Sequence, residues 1–347
     1  MEFVGCRHRP QRMLRSKDLE FEICVIIKKM KDIYKRLIIY SVVAAFSIYA
    51  YSLWDKFNWR GYTAKLEGYR YTIYSDLPRA DLDIYAKICE SLRVYFERKF
   101  FSTGIKKVKI YVFATADSYG TYLKKLGRFA PETEYGFYKL GKALIAFNST
   151  TGLGTFTHEL SHHFINTSDV KLPVWFDEGF SAFFEKFIGI YQKDGSVLLT
   201  FGYVSPERFS EAWHLKAAGR LSLLPLFSEK FPNESLACNF VLFAFDNDKL
   251  KELLNNTVLE KDSVKLVEEI FRRPLRDVEA EWGKWMEEAK KRPEIPWIAE
   301  NRIFTADQLE DEMHKFYPPL RFDSSKERFF YDWKVFHFKG EERLLFE

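Results

Sequence analysis

Cysteine is scarce in this chain, and Cys6, Cys24, Cys89 and Cys238 stand too far apart to form the close pairs of a thiolate zinc site, which excludes that class of metal centre. Cys89 and Cys238 each fall in an apolar helical pattern, where they could bond to one another or serve as small core residues. No disulfide is assigned. Charge of one sign is lacking too: 53 Lys or Arg stand against 49 Asp or Glu, a net +4 over 347 residues. Ten of the basic and five of the acidic residues lie in 1–36, so the remainder holds 43 against 44 and has no basic excess to meet a nucleic-acid backbone. Nucleic acid is set aside as a partner. No internal repeat or low-complexity tract appears, and a hydrophobic share of 47% excludes a disordered chain as the main reading. The aromatic share of 18%, with 34 Phe and 19 Tyr, predicts thick apolar faces on strands and helices.

One long apolar run is present, Leu37 to Trp54, uncharged and flanked by Lys35 and Arg36 before it and Asp55 and Lys56 after it. It is long enough to cross a bilayer. Its positive flank predicts a cytoplasmic leader over 1–36, with everything after Asp55 outside, whether periplasmic or extracellular. A cleaved signal peptide is the second reading, since Met30 could itself begin the chain and Ala50 and Ser52 offer small residues for cleavage; the product would then be secreted. A buried core helix is the third.

Further along, Tyr69–Tyr74 and Lys107–Ala114 alternate as strands, and Asp81–Phe100 has the spacing of an amphipathic helix. Ser118–Leu126 reads as a short helix closed by Gly127, and Tyr135–Asn148 as a hairpin turning at Leu140-Gly141. A helix is expected over about Thr155–Ile165 and another after Pro173. Ser235–Phe245, Lys249–Asn255 and Val264–Lys291 read as helices, the last interrupted by Pro274. These signals predict an α+β domain over 55–290. Pro293 and Pro296 mark a boundary to a C-terminal appendage over 291–347, whose end, Arg328–Phe346, looks like a hairpin.

The chemistry concentrates at residues 158–162, His-Glu-Leu-Ser-His. Four positions apart on a helix, His158 and His162 share a face and can reach one ion, while Glu159, about 100° further round, points beside it. A catalytic zinc keeps three protein ligands and one open position, so Glu159 is expected to act as general base. His163 faces another side and reads as a packing or supporting residue. In Pro173–Glu185 (PVWFDEGFSAFFE), Glu178 sits among bulky apolar neighbours and calls for a partner, which a metal would supply. An exposed acid at a helix start is the alternative for Glu178, and Asp177 would serve that purpose equally well.

His158–His162 followed by Glu178 within WFDEGFSAFFE resembles the gluzincin peptidases, and the pattern from about Tyr69 to Glu185 is similar to the bacterial peptidase MA-like domains. A weaker likeness runs through Arg220–Phe227 to the helix near Trp285. The resemblance implies a zincin-like domain: a small mixed sheet with an active-site helix, then a mainly helical lobe. It also implies Glu178 as the third zinc ligand and the strand near Ala143–Phe147 as the edge that takes an extended substrate by β-addition. The pattern departs where many gluzincins place a Tyr or His to support the oxyanion, since Ser235–Phe245 contains neither; Tyr203 and His214 are the nearest candidates. The Gly-x-Met-Glu-Asn run of aminopeptidase-type gluzincins is absent. The expectation is one Zn2+ and endopeptidase action, or peptide-amidase action, on a peptide or protein substrate outside the cytoplasm, on a chain held to the membrane through 37–54. An envelope scaffold with a weak or inactive site is the alternative. Two His and one Glu without a further acidic pair suit zinc better than a di-iron centre. Asn-x-Ser/Thr sequons occur at Asn148, Asn166, Asn233 and Asn255.

Overall fold

The computed structural model describes residues 16–131, 133–228, 232–257, 262–291, 300–305, 307–309, 311–312, 321–323 and 328–330. The chain divides into two compact units, Met1–Trp59 and Arg60–Glu347. The first carries one helix, α1 (Ser16–Lys56), whose 41 residues extend about 60 Å at ~1.5 Å each. Its stretch Lys28–Tyr51 is apolar enough to cross a membrane, and none of its described residues is buried. The same properties suit a signal sequence near a chain start. The expected run 37–54 falls largely inside this stretch.

The second unit opens with a five-stranded mixed sheet in the order β1-β2-β3-β5-β4. Its strands are β1 (Ala64–Glu67), β2 (Tyr71–Ser75), β3 (Val108–Phe113), β4 (Gly136–Lys139) and β5 (Leu144–Asn148). The central strands β2, β3 and β5 run parallel, while β1 and β4 are antiparallel edges. Alternation decides which layer each side chain meets. Ile110, Val112, Ile145 and Phe147 join the main core with α2 (Asp83–Lys99), whose Tyr85 ring packs edge-on against Phe147 at 5.6 Å and against Phe156 of the helix α4 (Leu153–Thr167) at 5.4 Å. Tyr111 and Phe113 point to the opposite face, where they meet Tyr119 and Tyr122 of α3 (Ala116–Leu126). Covered on both faces, β5 is buried along its whole length. It is therefore not the edge expected near Ala143–Phe147. Pairing with β3 on one side and β4 on the other uses its backbone groups, and among the described residues the outer strand on that side of the sheet is β4.

After α4 come α5 (Val174–Phe183) and a three-stranded sheet, β7-β6-β8, built from β6 (Ile188–Tyr191), β7 (Val197–Thr200) and β8 (Ile303–Phe304). The next elements form a helical lobe: α6 (Pro206–Ala217), α7 (Leu223–Ser228), α8 (Glu234–Asp246), α9 (Leu250–Asn256), α10 (Ser263–Phe271) and α11 (Leu275–Lys290). The described part is thus mixed α+β. The boundary expected at 291 does not detach the segment around Asn301–Phe304, because β8 pairs in parallel with β6 and the buried Asn301 accepts a hydrogen bond from Phe187 N at 3.1 Å. β10 (Arg328–Phe330) pairs antiparallel with β9 (Arg321–Asp323), and the remainder of the expected terminal hairpin, 331–346, lies outside the described residues.

Candidate metal centre

Past Gly152, whose φ of 92° only glycine holds without strain, α4 presents His158 and His162 one turn apart. Their Nε2 atoms lie 3.1 Å from each other. Glu178 arrives on α5 and brings its Oε2 to 3.7 Å from His158 Nε2 and 3.5 Å from His162 Nε2. A tetrahedral zinc with bonds of ~2.05 Å holds its ligands roughly 3.3 Å apart, so the three separations bracket the required triangle. The group formed by His158, His162 and Glu178 could hold a metal ion.

The far side of each ring decides what the near side offers. His162 Nδ1 faces Asp177 Oδ1 at 2.8 Å and Ser181 Oγ at 3.1 Å. His158 Nδ1 faces Glu185 Oε1 at 2.8 Å, an ion-pair distance off the line of an ideal hydrogen bond. Ionised carboxylates only accept, so each neutral imidazole keeps its proton on Nδ1 and turns a bare lone pair toward the other ring and toward Glu178. Three acceptors then converge on one point. That arrangement repels itself unless a cation, or extra protons, fill it.

Ionisation in the metal-free state expresses the same demand. Burial disfavours a charged His158, but its contacts with Glu178 and Glu185 outweigh burial and raise its pKa to about 9. His162 rises well above its ordinary value against the same opposition, through Asp177 and Glu178. Burial alone would raise Glu178, yet the two histidines hold it well below the usual carboxylate range. Glu185, opposed by burial in the same way, is held at about 2 by His158 and Arg208. Glu159 differs. Burial raises its carboxyl, the histidines only partly offset this, and no hydrogen bond from a described residue holds it.

His163 is buried away from the cluster, with Nε2 donating to Lys106 O at 3.1 Å and Nδ1 3.4 Å from the Tyr138 hydroxyl, so it ties α4 to the start of β3 and to β4. Tyr203 is buried with its hydroxyl 2.8 Å from Thr200 Oγ1, and His214 is exposed in the last turn of α6. The structure therefore brings together His158, Glu159, His162 and Glu178 of the expected site residues, and commits Tyr203 to a contact beside β7. Asp177 is no solvated helix-start acid but the partner of His162. Glu185 and Arg208 were not anticipated. The signal for Glu185 was a second carboxylate two helical turns past Glu178 in an otherwise apolar run, whereas nothing local marks Arg208. Of the sequons, Asn148 is buried and holds Thr150 N, and Asn166 donates to His162 O at 2.9 Å. A depression of about 490 Å³ beside Phe243 and Trp285 is lined by α8, α11 and Asn247, which supply no member of the cluster. A scan against family models finds no match to this chain, and no curated protein matches it.

Proposed function

We propose that the chain is a zinc-dependent peptidase with a zincin-like domain, in which His158, His162 and Glu178 hold the metal and Glu159 is the general base. One observation carries the reading: three lone-pair donors separated by 3.1, 3.5 and 3.7 Å, with the opposite nitrogen of each imidazole facing a carboxylate. Zinc bound there supplies Lewis acidity that lowers the pKa of a water toward neutrality and polarises a carbonyl. Glu159, one residue along the same helix turn and raised by burial, accepts the proton of the attacking water and returns it to the leaving amine. The open edge of β4, packed beside α4, offers backbone groups to which an extended peptide can add as a further strand. The apolar helix at the N-terminus supports a membrane-held or exported protein.

A second reading, an envelope scaffold with a weak or inactive site, is favoured by one feature: α8 has no Tyr or His to support an oxyanion, and Tyr203 is engaged with Thr200. One experiment separates the two. The full chain in detergent is assayed for bound metal and for cleavage of a quenched-peptide library, alongside Glu159→Gln. The peptidase reading expects one zinc in both proteins and a roughly 10²–10⁴-fold loss of rate in the variant. Zinc without cleavage of any peptide would favour the scaffold, and no zinc at micromolar concentrations would overturn the ligand assignments and leave only a metal-free scaffold.

A further inference from the structure

The two metal-facing histidines are braced differently. Asp177 and Ser181, which hold His162, sit on the helix that carries Glu178, so α4 and α5 alone orient that ring. Glu185, which faces His158, lies beyond the last residue of α5 and has no helix of its own to fix its rotamer. Both of its oxygens are taken by Arg208 of α6, Nε to Oε2 and Nη2 to Oε1, in the two-pronged geometry that guanidinium and carboxylate share. Arg208 is steadied in turn by Glu234 Oε2 of α8 at 3.0 Å from its Nη1, and its carbonyl accepts from Asn239 Nδ2 at 3.2 Å.

An interior ion pair of this kind is a poor device for stability, because desolvating two charges costs about as much as their attraction returns. With side chains only 19% and 16% exposed, Arg208 and Glu185 bear that cost. We infer that Arg208 is a positioning residue of the metal centre, fixing Glu185 and through it the ring of His158, so that the helical lobe at α6 and α8 helps set the metal geometry. A guanidinium fork restrains the carboxylate in two directions at once, and the carboxylate then restrains the rotation of the imidazole. The inference rests on the metal-binding reading of the cluster and is independent of whether the bound protein cleaves peptides.

The test uses the full chain in detergent, with zinc affinity measured by competition against a chromophoric chelator and ligand geometry read from the visible absorption of the cobalt(II) form. Arg208→Gln is expected to weaken zinc 10–100-fold, the range seen when outer partners of metal ligands are lost, and to alter the cobalt spectrum. Arg208→Lys keeps the charge without the fork and falls between wild type and Arg208→Gln. Glu234→Gln, which loosens Arg208 but leaves its fork on Glu185, weakens zinc less than Arg208→Gln does. Wild-type affinity and an unchanged cobalt spectrum in Arg208→Gln would overturn the inference, even with a lowered melting temperature. If Arg208→Gln fails to fold, Glu185→Asp, whose shorter side chain cannot span His158 and Arg208, decides by the same two readouts. A wild-type protein that binds neither metal would instead overturn the metal centre itself.

Discussion

His163 separates structural from chemical work within one motif. Burial disfavours its charged form and lowers its pKa to about 4, against the opposing pull of its hydrogen bond to Lys106 O. An unfolded histidine protonates near 6.5, so between pH 6.5 and 4 the unfolded chain takes a proton that the folded chain refuses. Stability from this group is fully present above 6.5 and is lost as pH falls toward 4, by up to about 3 kcal/mol. His158 and His162 titrate in the opposite sense in the metal-free protein, because their folded values are raised. The comparison is therefore made in chelator between wild type and His163→Gln. The variant is expected to show a shallower loss of stability between pH 6.5 and 4 than wild type, and identical pH slopes for the two proteins would count against this account.

Between elements, the close approach of α5 and α8 positions Glu178. A Cβ at Gly179 would sit 2.7 Å from the backbone of Ala237 and 2.9 Å from its side chain, closer than atoms tolerate. Gly179→Ala should therefore destabilise the protein by about 1–3 kcal/mol even though alanine favours helix, and should weaken zinc because Glu178 moves with its helix. Thermal melting and zinc competition measured together test both parts. Gly154 is crowded in the same way by the Glu185 carbonyl, at 2.5 Å from an added Cβ, and by Asn301, so the start of α4 packs against the chain just before β6 and just before β8. Thr157 adds a bond from its hydroxyl to Phe184 O at 2.7 Å. Most of these elements were legible from periodicity, including the two helices of the site and the β4–β5 hairpin. The β6–β7 hairpin was missed although Asp194-Gly195 is a turn signal, with Gly195 at φ 82° and Gln192 N donating to Ser196 O at 2.9 Å. Its strands are four residues each and mostly buried, so they lack the polar alternation that announces a half-exposed strand.

For the whole molecule, the main core draws all its buried members from Ala64 to Met286, within the second unit, and rings such as Phe96, Phe180 and Phe184 form its centre. This accounts for the wealth of phenylalanine. A chain beginning at Arg60 should accordingly keep one cooperative thermal transition within a few degrees of the full chain, and a broad or absent transition would show that α1 contributes to folding. Metal should be linked to this transition as well. Zinc at 100 times its dissociation constant adds about 2.7 kcal/mol to the folded state, so chelation is expected to lower the melting temperature by several degrees and zinc to restore it. A melting temperature indifferent to both would speak against the cluster as a metal site.

His158, Glu159 and His162 were readable as a set because helix geometry alone puts residues four apart on one face, and the apolar run before Asp55 was readable because bilayer crossing is a matter of length and composition. Those features are local, so the sequence by itself determined them. Which strand lies at the sheet edge, whether Asp177 faces water or His162, and which cation answers Glu185 are questions about residues distant in sequence, from the 15 positions between His162 and Asp177 to the 35 between the paired Lys109 and Leu144. Only the tertiary structure decided them, because a buried carboxylate takes whatever partner the packing of separate elements brings within reach.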